Sequence, residues 1–275
     1  MSSKGVALVT GAARGIGKAI ALRLADDGFH VAVNDVPAHS ELLDALVAEI
    51  QQKGRQSSKH VADVAQEQQV KEMVEGAVKQ LGGLDVMVAN AGVPERSVAG
   101  LTESQYQYRL LVIALASAHA NTCTVSVEDW DHVLSINARG SFLCYKYAAL
   151  QMIQQGRGGR IIGASSILGK QGEATQAAYS ASKFAVRGLT QVAAQEFGRY
   201  NITVNAYSPG MVDTPLIASL GEFGQHVKDR YIELSPLKRV GVPEDIAGLV
   251  SYLASKESQF ITGQSISING GLFFD

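Results

Sequence analysis

Short strand-like runs at positions 6–10, 30–35, 56–61, 84–90, 160–166, 202–207 and 265–269, most of them apolar, alternate with longer stretches of helical periodicity at 18–27, 40–53, 66–81, 126–155, 175–200 and 243–254. Runs this short and rich in Val and Ile read as buried strands. Helices between them make right-handed βαβ units of a parallel sheet. Ligands of such a sheet bind beyond the carboxyl ends of its strands. Ser126 stands where an N-cap belongs, and Pro243 where a first-turn proline belongs. The rhythm fails twice. After Gly92 a loop-like stretch with Pro94 and Gly100 leads into an apolar segment of helical propensity at 108–120. Residues 216–240 have weak periodicity broken by glycine and proline. Together with the turn from about 211 they read as a mobile substrate lid. Neither repeat nor linker divides the chain, so residues 1–275 are expected to form a single domain.

Hydrophobic residues make up 46% and charged residues 18%, as in a globular protein. A net charge of −2 gives no reason to expect nucleic acid or an anionic membrane as partner. The longest apolar run, 110–116, is too short to span a bilayer. Cys123 and Cys144 form no disulfide framework or zinc spacing, and no metal is expected. The first residues enter a strand without a signal-peptide core, which points to a cytoplasmic protein.

The first strand runs straight into Gly11-Ala12-Ala13-Arg14-Gly15-Ile16-Gly17 and then a helix. That arrangement presents backbone N–H groups and a positive helix end to a phosphate. Gly11 permits the tight turn, Gly15 lets a pyrophosphate approach, and Gly17 lets the helix pack on the strand. Asp35 ends the second strand, placed to accept from the adenosine ribose and to repel a 2′-phosphate. Arg14 pulls the other way, because a guanidinium in the turn can reach such a phosphate. The carboxylate meets the phosphate directly, so NAD(H) is expected, with NADP(H) kept open by Arg14. Asp63, followed by Val64, is positioned to flank an adenine. Asn90, followed by Ala91 and Gly92, ends the fourth strand.

Tyr179 and Lys183 are four residues apart in an Ala-rich helix, hence on one face. A cation beside a phenol lowers its pKa and makes it a usable proton donor or acceptor. Two residues decorating an amphipathic helix would have the same spacing. Only a cofactor site and a second hydroxyl favour chemistry. Asn137, polar within a long apolar helix, is either a satisfied buried amide or a kink or water-binding point.

Taken in order, Thr10-Gly-x-x-x-Gly-x-Gly17, Asn90-Ala91-Gly92, Asn137, Ser166, Tyr179-x-x-x-Lys183 and Pro209-Gly210 resemble the classical short-chain dehydrogenase/reductase family over nearly the whole chain. The resemblance implies an α/β fold, a single Rossmann-type doubly wound parallel sheet of seven strands flanked by helices, and a homotetramer. It also implies hydride transfer between a nicotinamide and a carbonyl carbon. Tyr179 would be the general acid/base and Ser166 would hold the substrate oxygen. Lys183 would bind the nicotinamide ribose and depress the Tyr179 pKa, and Asn137 would hold a water of a proton relay. Val212 and Thr214 would orient the carboxamide, with Ile16, Val64, Pro209 and Gly210 in the same cofactor site.

Within the family the second half is similar to the acetoin (diacetyl) reductase or 2,3-butanediol dehydrogenase group, through 179–191, 202–210, 251–255 and 262–265. A small-molecule ketone would then meet Ser166, Tyr179, Gln171 and Met211. The alternatives are another ketone (a 3-oxoacyl thioester, a keto sugar or a secondary-metabolite ketone) or an NAD(H)-binding protein without turnover. Three positions depart from the family. Ala89 stands where an Asn is frequent, and Asn269 where an Asp is usual. The connection from Gly92 to Asn137 is much longer than usual, an atypical insertion at about 95–125.

Overall fold

Seven parallel strands form one sheet: β1 (Val6–Val9), β2 (His30–Asp35), β3 (Ser57–Val61), β4 (Val86–Ala89), β5 (Gly159–Ala164), β6 (Ile202–Pro209) and β7 (Ser265–Ile268). Their order across the sheet is β3-β2-β1-β4-β5-β6-β7, so the winding reverses between β1 and β4. This is a computed structural model, and it describes residues 3–95, 125–218 and 221–275. The insertion expected at about 95–125, with its apolar segment 108–120 and Cys123, falls almost wholly on 96–124, outside the described residues.

β1 and β4 are apolar on both sides because helices cover both faces, while the edge strands β3 and β7 carry polar residues. Ala7 and Val9 of β1 join one apolar layer and Leu8 the other, the period-two alternation of a strand. The first layer is closed by α1 (Gly15–Asp27), α2 (Ser40–Gln52) and α9 (Pro243–Ala254), through Ile20, Leu24, Leu46, Ile246 and Val250. The second is closed by α3 (Glu67–Leu81), α5 (Gly140–Gln155) and α6 (Ala177–Phe197), through Val70, Val74, Leu143, Met152 and Ala193. Ahead of α5 comes α4 (Val127–Leu134), whose N-cap Ser126 accepts from the Asp129 N–H at 3.0 Å.

Two stretches differ from the sequence reading. The helical pattern of 126–155 is not one helix: α4 and α5 are joined by a π-helical turn, Ser135–Arg139, with Asn137 fully buried in it. A π turn adds one residue to the helical repeat and often marks a functional position. The region 216–240 is largely helical, with α7 (Pro215–Ala218) and α8 (Gly221–Leu234). Its base is pinned. Val212 bridges to Gly241, the Gly241 N–H donates to Met211 O at 2.9 Å, and the Asp213 N–H donates to Gly241 O at 2.8 Å.

Candidate active site

Many of the sequence-predicted residues lie at or just past the carboxyl end of a strand, while Asn137 lies in the π turn and Tyr179 and Lys183 lie in α6. Gly11 and Gly15 adopt left-handed backbone, with φ of 62° and 55°. A Cβ on Gly17 would lie 2.1 Å from Gly11 O and 2.6 Å from Asn90 Nδ2. Gly17 therefore lets α1 close on the turn itself and on Asn90, a more specific partner than the strand expected. No rotamer change relieves an overlap with a main-chain oxygen. Gly17→Ala is expected to destabilise the fold by about 2–3 kcal/mol in urea unfolding, and to weaken dinucleotide binding with it. At Gly15 the nearest atoms to an added Cβ are Thr214 and Pro215 at 3.7 Å, which leaves room for a close approach. Arg14, the N-cap of α1, is exposed and makes no side-chain cap bond, so the helix end remains positive toward an anion.

Asp35 ends β2 with its carboxylate held on both oxygens. Oδ2 accepts from the Ala13 N–H at 3.1 Å and Oδ1 from the Val36 N–H at 2.9 Å, with His39 Nδ1 also 2.9 Å from Oδ1. Asp63 accepts from the Ala65 N–H at 2.9 Å, and Val64 packs against Gly140. The Asn90 amide is committed to the protein: Nδ2 donates to Thr10 O at 2.8 Å and Gly11 O at 3.1 Å, and Oδ1 accepts from the Tyr207 hydroxyl at 2.8 Å. It ties the ends of β1, β4 and β6 together, and the Ala91 N–H joins the same network by donating to Thr10 Oγ1 at 3.1 Å. Ile16 packs against the first apolar layer, so its backbone is the part available to a cofactor. Glycine turn, uncapped helix end and carboxylate together fit a dinucleotide.

Ser166 follows β5 and caps a single 3-10 turn, Ile167–Gly169, its Oγ accepting from the Leu168 N–H at 3.1 Å. The same side chain faces Tyr179 and favours its phenolate. Ser165 is turned to other use, donating to Lys183 O at 3.1 Å. One helical turn after Tyr179, Lys183 Nζ lies 5.4 Å from the tyrosine ring centroid and donates to Ala164 O at 2.9 Å. Asn137 Oδ1 accepts from the Val93 N–H at 2.8 Å, and Nδ2 donates to Val93 O at 2.9 Å and to Ser182 Oγ at 3.1 Å. Its amide is thus satisfied and the helix is interrupted there. An added Cβ on Gly92 would stand 3.1 Å from Asn137 Oδ1 and 3.4 Å from Lys183 Nζ, so these three residues border one small space. Of the other substrate candidates, Gln171 is exposed and Met211 is half-buried, held through its main chain by Gly241.

Burial pulls the Lys183 ammonium down from 10.5 to about 8. Burial also pushes the Tyr179 phenol up, and Ser166 offsets only part of this. The expected lowering of the Tyr179 pKa by Lys183 is therefore reversed in this site. The reason is physical: desolvation acts on the phenolate directly, while Lys183 stands over the ring, 5.4 Å from its centroid.

Four contributing residues escaped sequence reasoning. His39 reaches Asp35, Tyr207 holds Asn90, Ser182 holds Asn137, and buried Glu95 accepts from the Ala178 N–H at 3.2 Å, next to Tyr179. None is a fixed position of a spaced motif, so no local signal marks them.

The family described as short chain dehydrogenase matches residues 5–224. The chain belongs to the short-chain dehydrogenase family. A short-chain dehydrogenase/reductase of Armillaria gallica is 47% identical over 274 residues, spanning 98% of this chain and 96% of that protein. The 3-oxoacyl-[acyl-carrier-protein] reductase FabG of Staphylococcus epidermidis is 39% identical over 267 residues, spanning 97% and 98%. Levodione reductase superposes with a TM-score of 0.84 at 30% identity over 98% of each chain. This dehydrogenase is thus an oxidoreductase of a family that binds NAD(P)(H). Among the described residues no helix is long and apolar enough to cross a membrane.

Proposed function

We propose that this dehydrogenase interconverts a small ketone of the diacetyl or acetoin kind and its secondary alcohol, using NAD(H). The observation that carries the reaction type is Tyr179 facing Ser166, with Lys183 one helical turn on and its ammonium 5.4 Å from the tyrosine ring centroid. Gly11, Arg14, Gly15, Ile16 and Gly17 would hold the pyrophosphate, Asp35 the adenosine ribose, and Asp63 and Val64 the adenine. Asn90, Ala91, Gly92, Pro209, Gly210, Val212 and Thr214 would shape the nicotinamide end. Bound there, the dinucleotide supplies the hydride.

The chain's own residues handle the proton. Tyr179, kept protonated at neutral pH by burial, delivers it to the substrate oxygen, and the Ser166 hydroxyl donates a hydrogen bond to the same oxygen. Charged Lys183 stabilises the phenolate left behind. Asn137 fixes the main chain at Val93, beside Gly92 and Lys183. The acetoin-type substrate rests on the similarity of the second half of the chain, with Gln171 and Met211 as candidate contacts. Exposed apolar side chains on α5 (Phe142, Leu150) and α6 (Phe184, Val192) support a homotetramer.

A second reading, reduction of a 3-oxoacyl thioester, is favoured by the FabG relative. NADH oxidation with diacetyl, acetoin and a 3-oxoacyl thioester, repeated with NADPH, separates the two. Turnover of diacetyl with NADH and little with NADPH is the expected result. Turnover of the thioester alone would establish the second reading, and a preference for NADPH would transfer cofactor choice from Asp35 to Arg14.

A further inference from the structure

We propose that His39 is a second determinant of cofactor choice: its imidazole sets the charge that Asp35 presents to a 2′-phosphate, and its protonation relaxes discrimination against NADP(H). The inference rests on the reading of Asp35 as the ribose-binding carboxylate.

His39 ends a short 3-10 turn, Pro37–His39, between β2 and α2, four residues after Asp35. Its Nδ1 lies 2.9 Å from Asp35 Oδ1, with side-chain exposures of 24% for His39 and 11% for Asp35. The pair is in direct contact and open enough to meet a ligand. Asp35 is otherwise locked by the Ala13 and Val36 N–H groups, so His39 acts on a carboxylate that does not move.

A carboxylate acceptor selects the tautomer with the proton on Nδ1. Neutral His39 then leaves the pair with one negative charge. Protonation adds its hydrogen at Nε2, keeps the Nδ1 bond, and brings the pair to zero without rotation of either side chain. The other charged groups on the surrounding elements are Arg14 of the glycine turn, Glu41 and Asp44 of α2, Lys59 of β3, and Asp63 after β3. Lys59 is paired with Asp44 at 2.6 Å. Arg14 makes no ion pair among the described residues. Arg14 and Asp35 cancel while His39 is neutral, and its protonation leaves a net cation among the three. That gain of one positive charge, with the carboxylates of Glu41 and Asp63 unchanged around it, favours a ligand that carries an added phosphate.

The test is calorimetric titration of the full chain with NAD+ and with NADP+ at about pH 8.5 and about pH 5.5, the interval over which an imidazole gains charge. Wild type is compared with His39→Gln, which keeps a donor but cannot charge, and with His39→Asn as a second uncharged form. The 2′-phosphate itself takes up a proton near pH 6, but it does so with every variant. The expected result is that the affinity ratio of NAD+ to NADP+ falls on acidification by on the order of tenfold more in wild type than in either variant. Equal slopes, with NAD+ preferred throughout, would overturn the role of His39 and leave Asp35 standing. Preference of wild type for NADP+ at both pH values would overturn the reading of Asp35, and this inference with it.

Discussion

Replacing Tyr179 with Phe is expected to lower kcat by about 10³-fold or more while leaving NADH affinity unchanged. Only the hydroxyl is removed. The ring keeps its packing on α6, so the fold and the cation beside it persist. What is lost is the group that holds the proton at the substrate oxygen, a contribution of about 10²–10⁴ in comparable acid–base catalysis. Ser166 remains as a hydrogen-bond donor and cannot replace it, because an alcohol is far too weak an acid. Steady-state kinetics with a fluorescence titration of NADH checks both halves of the expectation. A variant retaining most of its activity would reject Tyr179 as the acid.

Lys183→Met is expected to abolish turnover and at the same time to stabilise the protein. Lys183 is 4% exposed, and its pKa falls from 10.5 to about 8, so burial of the charged form costs about 3 kcal/mol at neutral pH. The bond to Ala164 O returns part of this, leaving a net gain of about 1–3 kcal/mol for the variant. The sign follows from proton counting. Between pH 8 and 10.5 the unfolded chain binds more protons at this residue than the folded chain, so wild-type stability rises with pH across that window. The advantage of the variant is therefore largest below pH 8 and fades above about pH 10. Urea unfolding at neutral pH and at about pH 10 measures it. A variant less stable than wild type at neutral pH would show that the ammonium is compensated by contacts beyond Ala164.

The elements read best from sequence were those whose boundaries are set by local chemistry. β2 ends where Asp35 ends its apolar run, and α9 begins at Pro243. The start of α1 at Gly15 was hidden because glycine is a poor helix former, and tertiary packing overrides that weakness. Gly221, Gly224 and a charge-rich sequence diluted the periodicity of α8 and made it read as an irregular lid. The π turn at Asn137 was legible only as one alternative, a kink, because the apolar positions continue through it. At the site, Gly17, Asp35, Ser166, Tyr179 and Lys183 were legible through their spacing. The partners that hold them were not. Glu95 meets Ala178, and Tyr207 meets Asn90, across distances in sequence that only the fold closes. The direction of the Tyr179 shift was missed for a similar reason. Sequence displays the charged neighbour but not the loss of water.

The strand order also dictates how the molecule is made. β1 sits in the middle of the sheet, with Val9 paired to Val33 on one side and to Val88 on the other. During synthesis the first partner arrives early and the second much later, so β1 to β3 exist for a time with one edge of β1 bare. Such edges invite wrong pairing, and parallel strands distant in sequence join slowly. The Thr10–Asn90 bonds lie on this same seam, so the phosphate turn is completed only when β4 docks. Ser166 and Tyr179 follow later still, so the reactive end acquires its shape well after the first strands are made.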